Sequence, residues 1–233
     1  MTKRDAPYGS DDPSSIWTAV DDYVSGLLMG DDAVLARALD ASRTAGLPSI
    51  NVSPPQGKLL HLLARAQQAR RVLEIGTLGA YSTIWIARAL PPDGRVVTIE
   101  ADRKHAEVAR GNIVRAGLGA LVDLRVGRAL DVLPEIAREM IEPFDLTFID
   151  ADKPNTLEYF EWALRLSRGG SVIIADNVVR EGAVRDVRST DAAVRGMQRF
   201  LAGVAAEPRV DATVIQTVGA KGYDGFAYIF VKE

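Results

Sequence analysis

The feature that most restricts the fold of this chain is a recurring unit: a short apolar run that ends in a glycine or a carboxylate, followed by a helical stretch. The runs are Val72-Leu-Glu-Ile75, Arg95-Val-Val-Thr-Ile-Glu100, Leu121-Val-Asp-Leu-Arg-Val126, Phe144-Asp-Leu-Thr-Phe-Ile-Asp150 and Ser171-Val-Ile-Ile-Ala-Asp176. Their length and near-continuous apolarity suit strands buried on both faces. Between them the spacing predicts helices over Ser82–Leu90, Asp102–Ala116, Leu130–Met140 (interrupted early by Pro134) and Leu157–Ser167, the last ended by Gly169-Gly170. Strands alternating with helices give a parallel, doubly wound α/β sheet of the Rossmann type. A further helix is expected over 191–205. The chain then closes with Arg209–Val218, a turn at Lys221-Gly-Tyr-Asp-Gly225, and Phe226–Lys232. This pair reads as a β-hairpin, so the last strand should run antiparallel to the rest.

The part before the first run is an addition to that core. Residues 1–13 are polar and carry Pro7, Gly9 and Pro13, and are expected to be loose. Ser14 or Ser15 can cap a helix whose apolar positions Ile16, Trp17, Val20, Val24 and Leu27-Leu28 recur at three-to-four spacing. Gly30-Asp31-Asp32 breaks it, and a second helix follows from about Ala33 to Ala45. Residues 14–50 thus form a helical addition, either a lid, a dimer surface or an amphipathic cover for the sheet. Asn51-Val-Ser-Pro-Pro-Gln-Gly57 reads as a turn with Ser53 as helix cap, leading into a helix from Lys58 to about Ala69. The 233 residues are read as a single domain.

Composition removes several classes of chemistry. There is no cysteine, so disulfides, thiolate metal sites and cysteine nucleophiles are excluded, and a cytoplasmic location is expected. The net charge of −3 offers no global basic field for nucleic acid, which is an unfavoured partner. No apolar run reaches the ~18 residues of a membrane span.

The first apolar run carries the strongest local signal. Glu74-Ile-Gly76-Thr-Leu-Gly79 places a glycine turn between strand and helix, which opens a nucleotide-binding βαβ unit. Gly76 can let a ligand approach the main chain. The spacing is not the G-x-G-x-x-G of dinucleotide sites, and Glu74 just before the turn suits a cationic ligand better than a pyrophosphate. S-adenosylmethionine, with a sulfonium and an ammonium and no phosphate, meets that description. Glu100 ends the second strand where such folds hydrogen-bond ribose hydroxyls.

Two later strands end in acid: Asp150, followed by Ala151-Asp152-Lys153, and Asp176, followed by Asn177. Ligands of open α/β sheets sit outside the carboxyl ends of the strands, so these oxygens should converge. Clustered acids repel one another and desolvate badly. A hard divalent cation relieves both problems, and an all-oxygen set with open positions suits Mg²⁺, with Ca²⁺ or Mn²⁺ as substitutes. The alternative is that each acid caps the helix after it. Lys153, beside such a site, could accept or stabilise a proton.

Taken together, Glu74-Ile-Gly-Thr-Leu-Gly-Ala-Tyr-Ser82, Phe148-Ile-Asp-Ala-Asp-Lys153 and Ala175-Asp-Asn-Val178 resemble the cation-dependent O-methyltransferases, the family of catechol and caffeoyl-CoA O-methyltransferases and many bacterial small-molecule enzymes. Asn51–Gly57 resembles the segment before the family's cofactor strand, and the likeness covers about residues 15–233. The resemblance implies a seven-stranded sheet with an antiparallel last strand. It also implies S-adenosylmethionine as methyl donor and a small, catechol-like hydroxyl acceptor. By motif position Val52, Glu74, Gly76 and Ser82 lie around the methionine part, Glu100 at the ribose and Gly127 to Ala129 at the adenine, with Ala129 offering its amide. Asp150 serves both cofactor and catalysis. Asp150, Asp176 and Asn177 match the metal ligands, and Lys153 the catalytic base. Relatives are often homodimers.

Three places depart from the pattern. Arg180 stands where an aromatic is common and is compatible with an anionic group on the acceptor. Arg128 is basic beside the expected adenine pocket, and the hairpin with Lys221 and Tyr223 is longer than expected. Competing readings are a tRNA nucleoside methyltransferase on the same scaffold, weakly favoured by Arg185, Arg188, Arg195 and Arg199, a dinucleotide-dependent oxidoreductase, and a non-catalytic cofactor binder. His61 and His105 are given no catalytic role, and Trp17, Trp85 and Trp162 are read as packing residues, Trp17 reaching the acceptor only if its helix is a lid.

Overall fold

The computed structural model describes residues 12–139 and 142–233. The expected loose segment at the N-terminus therefore lies, apart from its last two residues, outside the described residues, as does Met140. Three helices come first: α1 (Pro13–Leu28), α2 (Ala33–Thr44) and α3 (Pro54–Ala66). Then follow β1 (Arg71–Ile75), α4 (Tyr81–Ala87), β2 (Arg95–Glu100), α5 (Arg103–Arg115), β3 (Val122–Val126), α6 (Ala129–Glu139), β4 (Phe144–Ile149), α7 (Thr156–Arg165), β5 (Ser167–Asp176), α8 (Ala192–Ala206), β6 (Val210–Gly219) and β7 (Gly222–Val231). Short 3₁₀ turns cover Lys153–Asn155 and Arg180–Arg185.

The strands form one seven-stranded sheet in the order β3-β2-β1-β4-β5-β7-β6. β1 pairs in parallel with both β2 and β4, and β7 lies antiparallel between β5 and β6. The chain order reverses at β1 and β4, which makes the crevice beyond their carboxyl ends the natural ligand site. Both faces of the sheet are covered. Leu73, Ile75, Val97 and Ile99 point into the cluster under α6, α7 and α8. Val72, Val96, Leu146 and Phe148 point into the one under α3, α4 and α5. This two-sided burial explains why the strands read as almost unbroken apolar runs.

Local chemistry sets the helix starts. Asp32, Ser53, Asp102 and Asp191 each accept a backbone N–H at the first turn of α2, α3, α5 and α8. Because Ser53 caps directly, α3 begins at Pro54, four residues earlier than expected from Lys58, with proline in the first turn.

Two boundaries differ from expectation for one reason, strand pairing. The Gly169-Gly170 pair does not end a helix: α7 stops at Arg165, and the glycines lie inside β5 across a register shift against β4 between Phe144 and Leu146. The closing hairpin turns at Ala220-Lys221, not over 221–225, since Gly219 pairs with Gly222 and the register holds from there to Val210–Val231. Ala220 and Lys221 keep negative φ, and Gly222 after them takes φ +89°, the pattern of a type I turn followed by a left-handed glycine.

Candidate active site

The carboxyl ends of the parallel strands open on a cavity of about 490 Å³, within the range of small-molecule sites. Its wall includes Val52, Gly76, Ser82, Glu100, Gly127, Ala129, Asp150, Asp152, Lys153 and Asn177. Of the expected cofactor-binding residues only Glu74 is missing from it.

Gly76 shows why the turn after β1 is glycine. Its φ is +101°, and a Cβ there would fall 2.0 Å from the carbonyl oxygen of Asp150. The β1 and β4 ends are thereby held backbone to backbone, with the amide of Asp150 donating to the Ile75 carbonyl at 2.8 Å. Glu100, at the end of β2, accepts the amides of Thr77 (3.2 Å) and Leu78 (2.7 Å) through Oε2 and that of Asp102 (2.9 Å) through Oε1. It thus both organises the glycine loop and faces the cavity. Ala129 is the first residue of α6, so its amide has no intrahelical acceptor and is available at the cavity wall.

Glu74 stands one layer behind. It is 0 % exposed, on the α4 side of β1. Its carboxylate accepts hydroxyl hydrogen bonds from Ser82 (2.7 Å), Thr98 (2.6 Å) and Thr83. Thr77 and Thr98 are also bonded hydroxyl to hydroxyl, extending the chain to the glycine loop. Burial pushes Glu74 up to about 7 against the pull of these donors. Glu74 therefore lies behind the cavity wall and holds the hydroxyl of Ser82, which does line the cavity.

The acidic cluster lies at the next two strand ends. Lys153 Nζ donates to Asp150 Oδ1 at 2.9 Å, and both side chains are largely buried. Asp176 is 5 % exposed and accepts from two neutral donors, Gln56 Nε2 at 2.7 Å and the Asn177 amide at 2.9 Å. Burial first, and the charge of Asp150 second, hold its pKa well above the usual carboxylate range. Asn177 takes φ +60°, a left-handed conformation that asparagine tolerates. It lines both this cavity and a smaller one of about 240 Å³ that Asp176, Gln56 and the hairpin tip enclose.

This donor set fits a hard divalent cation. It offers two mutually repelling carboxylates and an amide oxygen, and the more buried carboxylate lacks a cationic partner of its own. Among the described residues no group of three or more His, Cys, Asp or Glu side chains could hold a metal. A site here would therefore draw its third protein ligand from Asn177.

Several residues at the site escaped sequence reasoning. Gln56 reaches Asp176 from the first turn of α3, although the Asn51–Gly57 segment around it was recognisable. Tyr159 lines the larger cavity and bonds Asp152 through its hydroxyl. His105, set aside above, also lines it, with Nδ1 3.5 Å from Glu100 Oε1. Arg180, which the sequence did single out, joins the same wall, its Nε buried without a hydrogen-bond partner among the described residues. Asp224 holds that loop by accepting the amides of Val179, Arg180 and Gly225, each at 2.9 Å. His61 instead bonds the Trp85 carbonyl at 3.1 Å between α3 and α4. Trp85 is buried against Gly57, which supports its packing role. Arg185, Arg188, Arg195 and Arg199 are exposed.

A family model described as O-methyltransferase matches residues 29–225. A protein named catechol O-methyltransferase from Niastella koreensis is 54 % identical over 219 residues, covering 94 % of this chain and 99 % of that protein. The O-methyltransferase from Bacillus cereus in complex with SAH superposes with a TM-score of 0.92 at 58 % identity, covering 94 % of this chain and 99 % of that one. TomG, an O-methyltransferase from Streptomyces achromogenes involved in tomaymycin synthesis and solved with SAM, gives 0.93 at 54 % identity, covering 96 % and 100 %.

Proposed function

The chain belongs to the S-adenosylmethionine-dependent O-methyltransferase family, and from that premise we propose that it transfers the methyl group to one hydroxyl of a small catechol-like acceptor with the help of a divalent metal, Mg²⁺ or in its place Ca²⁺ or Mn²⁺. The observation that carries the metal reading is Asp176, a buried carboxylate beside Asp150 whose two hydrogen-bond donors are both neutral. S-adenosylmethionine supplies an electrophilic methyl group, and a bound divalent cation acidifies and orients a coordinated hydroxyl.

The protein's own residues do the rest. Ser82, aligned by Glu74, and the open backbone at Gly76 receive the methionine part of the donor. Glu100 presents its carboxylate to the ribose, and Ala129 its amide to the adenine. Asp150, Asp176 and Asn177 would hold the metal; Asp150 lines the larger cavity, Asp176 the smaller and Asn177 both, which supports reading the larger as the donor side and the smaller as the acceptor side. Lys153, on its ion pair with Asp150, takes or shields the proton leaving the acceptor hydroxyl. Fixing two reactants in line is itself a large source of acceleration.

A homodimer belongs to the same reading. α1 buries none of its residues and exposes Val20, Tyr23, Leu27 and Leu28, and the edge strand β6 exposes Val214, Ile215 and Val218. Among the described residues no helix is long and apolar enough to cross a membrane.

The test is transfer of labelled methyl from S-adenosylmethionine to a panel of catechols and caffeoyl esters, with Mg²⁺ and with EDTA. Transfer abolished by EDTA and restored by Mg²⁺ is the expected result. Transfer indifferent to EDTA would remove the metal from the mechanism.

A further inference from the structure

The smaller cavity contains a charge that the proposed chemistry does not use. Its walls include the apolar side chains of Pro55, Leu59, Val218 and Phe226, next to Asp176 and Asn177. At about 240 Å³ it falls below the range of roughly 300–1,000 Å³ that houses drug-sized ligands. It is sized for one aromatic ring with a short substituent.

Asp21, Asp224 and Lys221 also line it. The two acids are committed to the protein. Asp21 Oδ2 accepts the Ala220 amide at 2.8 Å, and its carboxylate packs where a Cβ on Gly219 would meet it at 2.5 Å. Asp224 spends one oxygen on three backbone amides, and its other lies 3.9 Å from Arg180 Nη1.

Lys221 is different. The residue is exposed, and its Nζ donates to the Ser49 carbonyl at 3.0 Å. Burial pushes its pKa down, and among the described residues no carboxylate lies within ion-pair distance of it. An ammonium has three N–H donors, so two remain for a ligand at the mouth of the cavity.

We propose that Lys221 reads a carboxylate on the acceptor, and that the acceptor class is a single-ring vicinal diol carrying an acidic side group. The hydroxyls point toward Asp176 and Asn177 and the carboxylate pairs with Lys221. The assignment rests on the smaller cavity being the acceptor side, as argued above. Because Lys221 is exposed, the pair is partly screened, and a preference of about five- to tenfold is expected in place of the larger factors of buried charged hydrogen bonds.

The experiment reads binding, not turnover. The full chain, loaded with S-adenosylhomocysteine and Mg²⁺, is titrated calorimetrically with three matched probes: 3-(3,4-dihydroxyphenyl)propionate, its methyl ester, and 2-(3,4-dihydroxyphenyl)ethylamine. The acid should bind about five- to tenfold tighter than the ester, with the amine weakest. Lys221→Gln should bring the acid down to the ester and leave the ester unchanged, and Lys221→Arg should keep the preference. Equal binding of acid and ester, or tightest binding of the amine, overturns the carboxylate reading while leaving the acceptor site standing. Equal weakening of all three by Lys221→Gln also overturns it and makes Lys221 a strut to Ser49. If none of the three binds, the carboxylate and the catechol readings fall together.

Discussion

Replacing Glu74 by glutamine tests the architecture behind the site most directly. The carboxylate is fully buried, with three hydroxyl donors and no cation bonded to it. Its pKa in the folded protein is raised from 4.5 to about 7. The folded state therefore binds a proton more tightly than the unfolded chain, and stability must fall as pH rises from about 4.5 to about 7. At about 1.36 kcal/mol per pH unit, the full penalty above pH 7 is roughly 3 kcal/mol. Glutamine keeps the shape and removes the ionisation. Glu74→Gln should therefore differ little from wild type near pH 5 and be more stable by up to about 3 kcal/mol at pH 8, a rise of some 6–12 °C in Tm for a chain of this size.

The assay is urea denaturation of both proteins from pH 5 to 8.5, without cofactor. The wild-type-minus-variant difference isolates Glu74 from every other titrating group. A difference that is flat across this range would refute the reasoning, since the buried carboxylate would then carry no ionisation penalty. The same substitution should weaken S-adenosylmethionine binding about three- to tenfold, the worth of one mispositioned hydrogen bond at Ser82. Gained stability with lost affinity is the pattern expected of a group kept for function.

Lys153→Met should lower kcat by about 10²- to 10⁴-fold, the usual range for a lost general base, and cofactor affinity from equilibrium titration should change little. A matching loss of affinity would instead make Lys153 a binding residue. Gly76→Ala brings a Cβ to 2.0 Å from the Asp150 carbonyl oxygen at a backbone φ of +101°. No rotamer relieves a clash with main chain, so the variant should lose at least the roughly 1–3 kcal/mol of a strained backbone position, and with it measurable cofactor binding. Thermal denaturation and calorimetry check it, and a variant that melts with wild type would show that the β1 and β4 ends are not locked together.

Much of the site was legible in the sequence because a parallel sheet delivers all its strand carboxyl ends to one edge. Asp150 and Asp176 end apolar runs, so their meeting needed only the topology, and alternation of strands and helices supplied it. What escaped reading is long-range or depends on pairing. Gln56 bonds a carboxylate 120 positions away, and its recognisable segment, Asn51–Gly57, does not say which of its side chains reaches that far. Gly169-Gly170 has the composition of a helix stop, yet Ser167 pairs with Phe144 and draws the glycines into β5. Glu74 is the sharpest case. In a sheet with one wet face, a polar residue within a strand marks solvent or a site. Here both faces are covered, so position on the strand carries no such information. The carboxylate could as well have entered the cavity as stood behind it. Only packing decides: the first turn of α4 lies over that face of β1 and brings the hydroxyls of Ser82 and Thr83 onto Glu74, with Ser82 at the cavity wall. A motif residue can thus stand one layer behind the cavity wall that it braces.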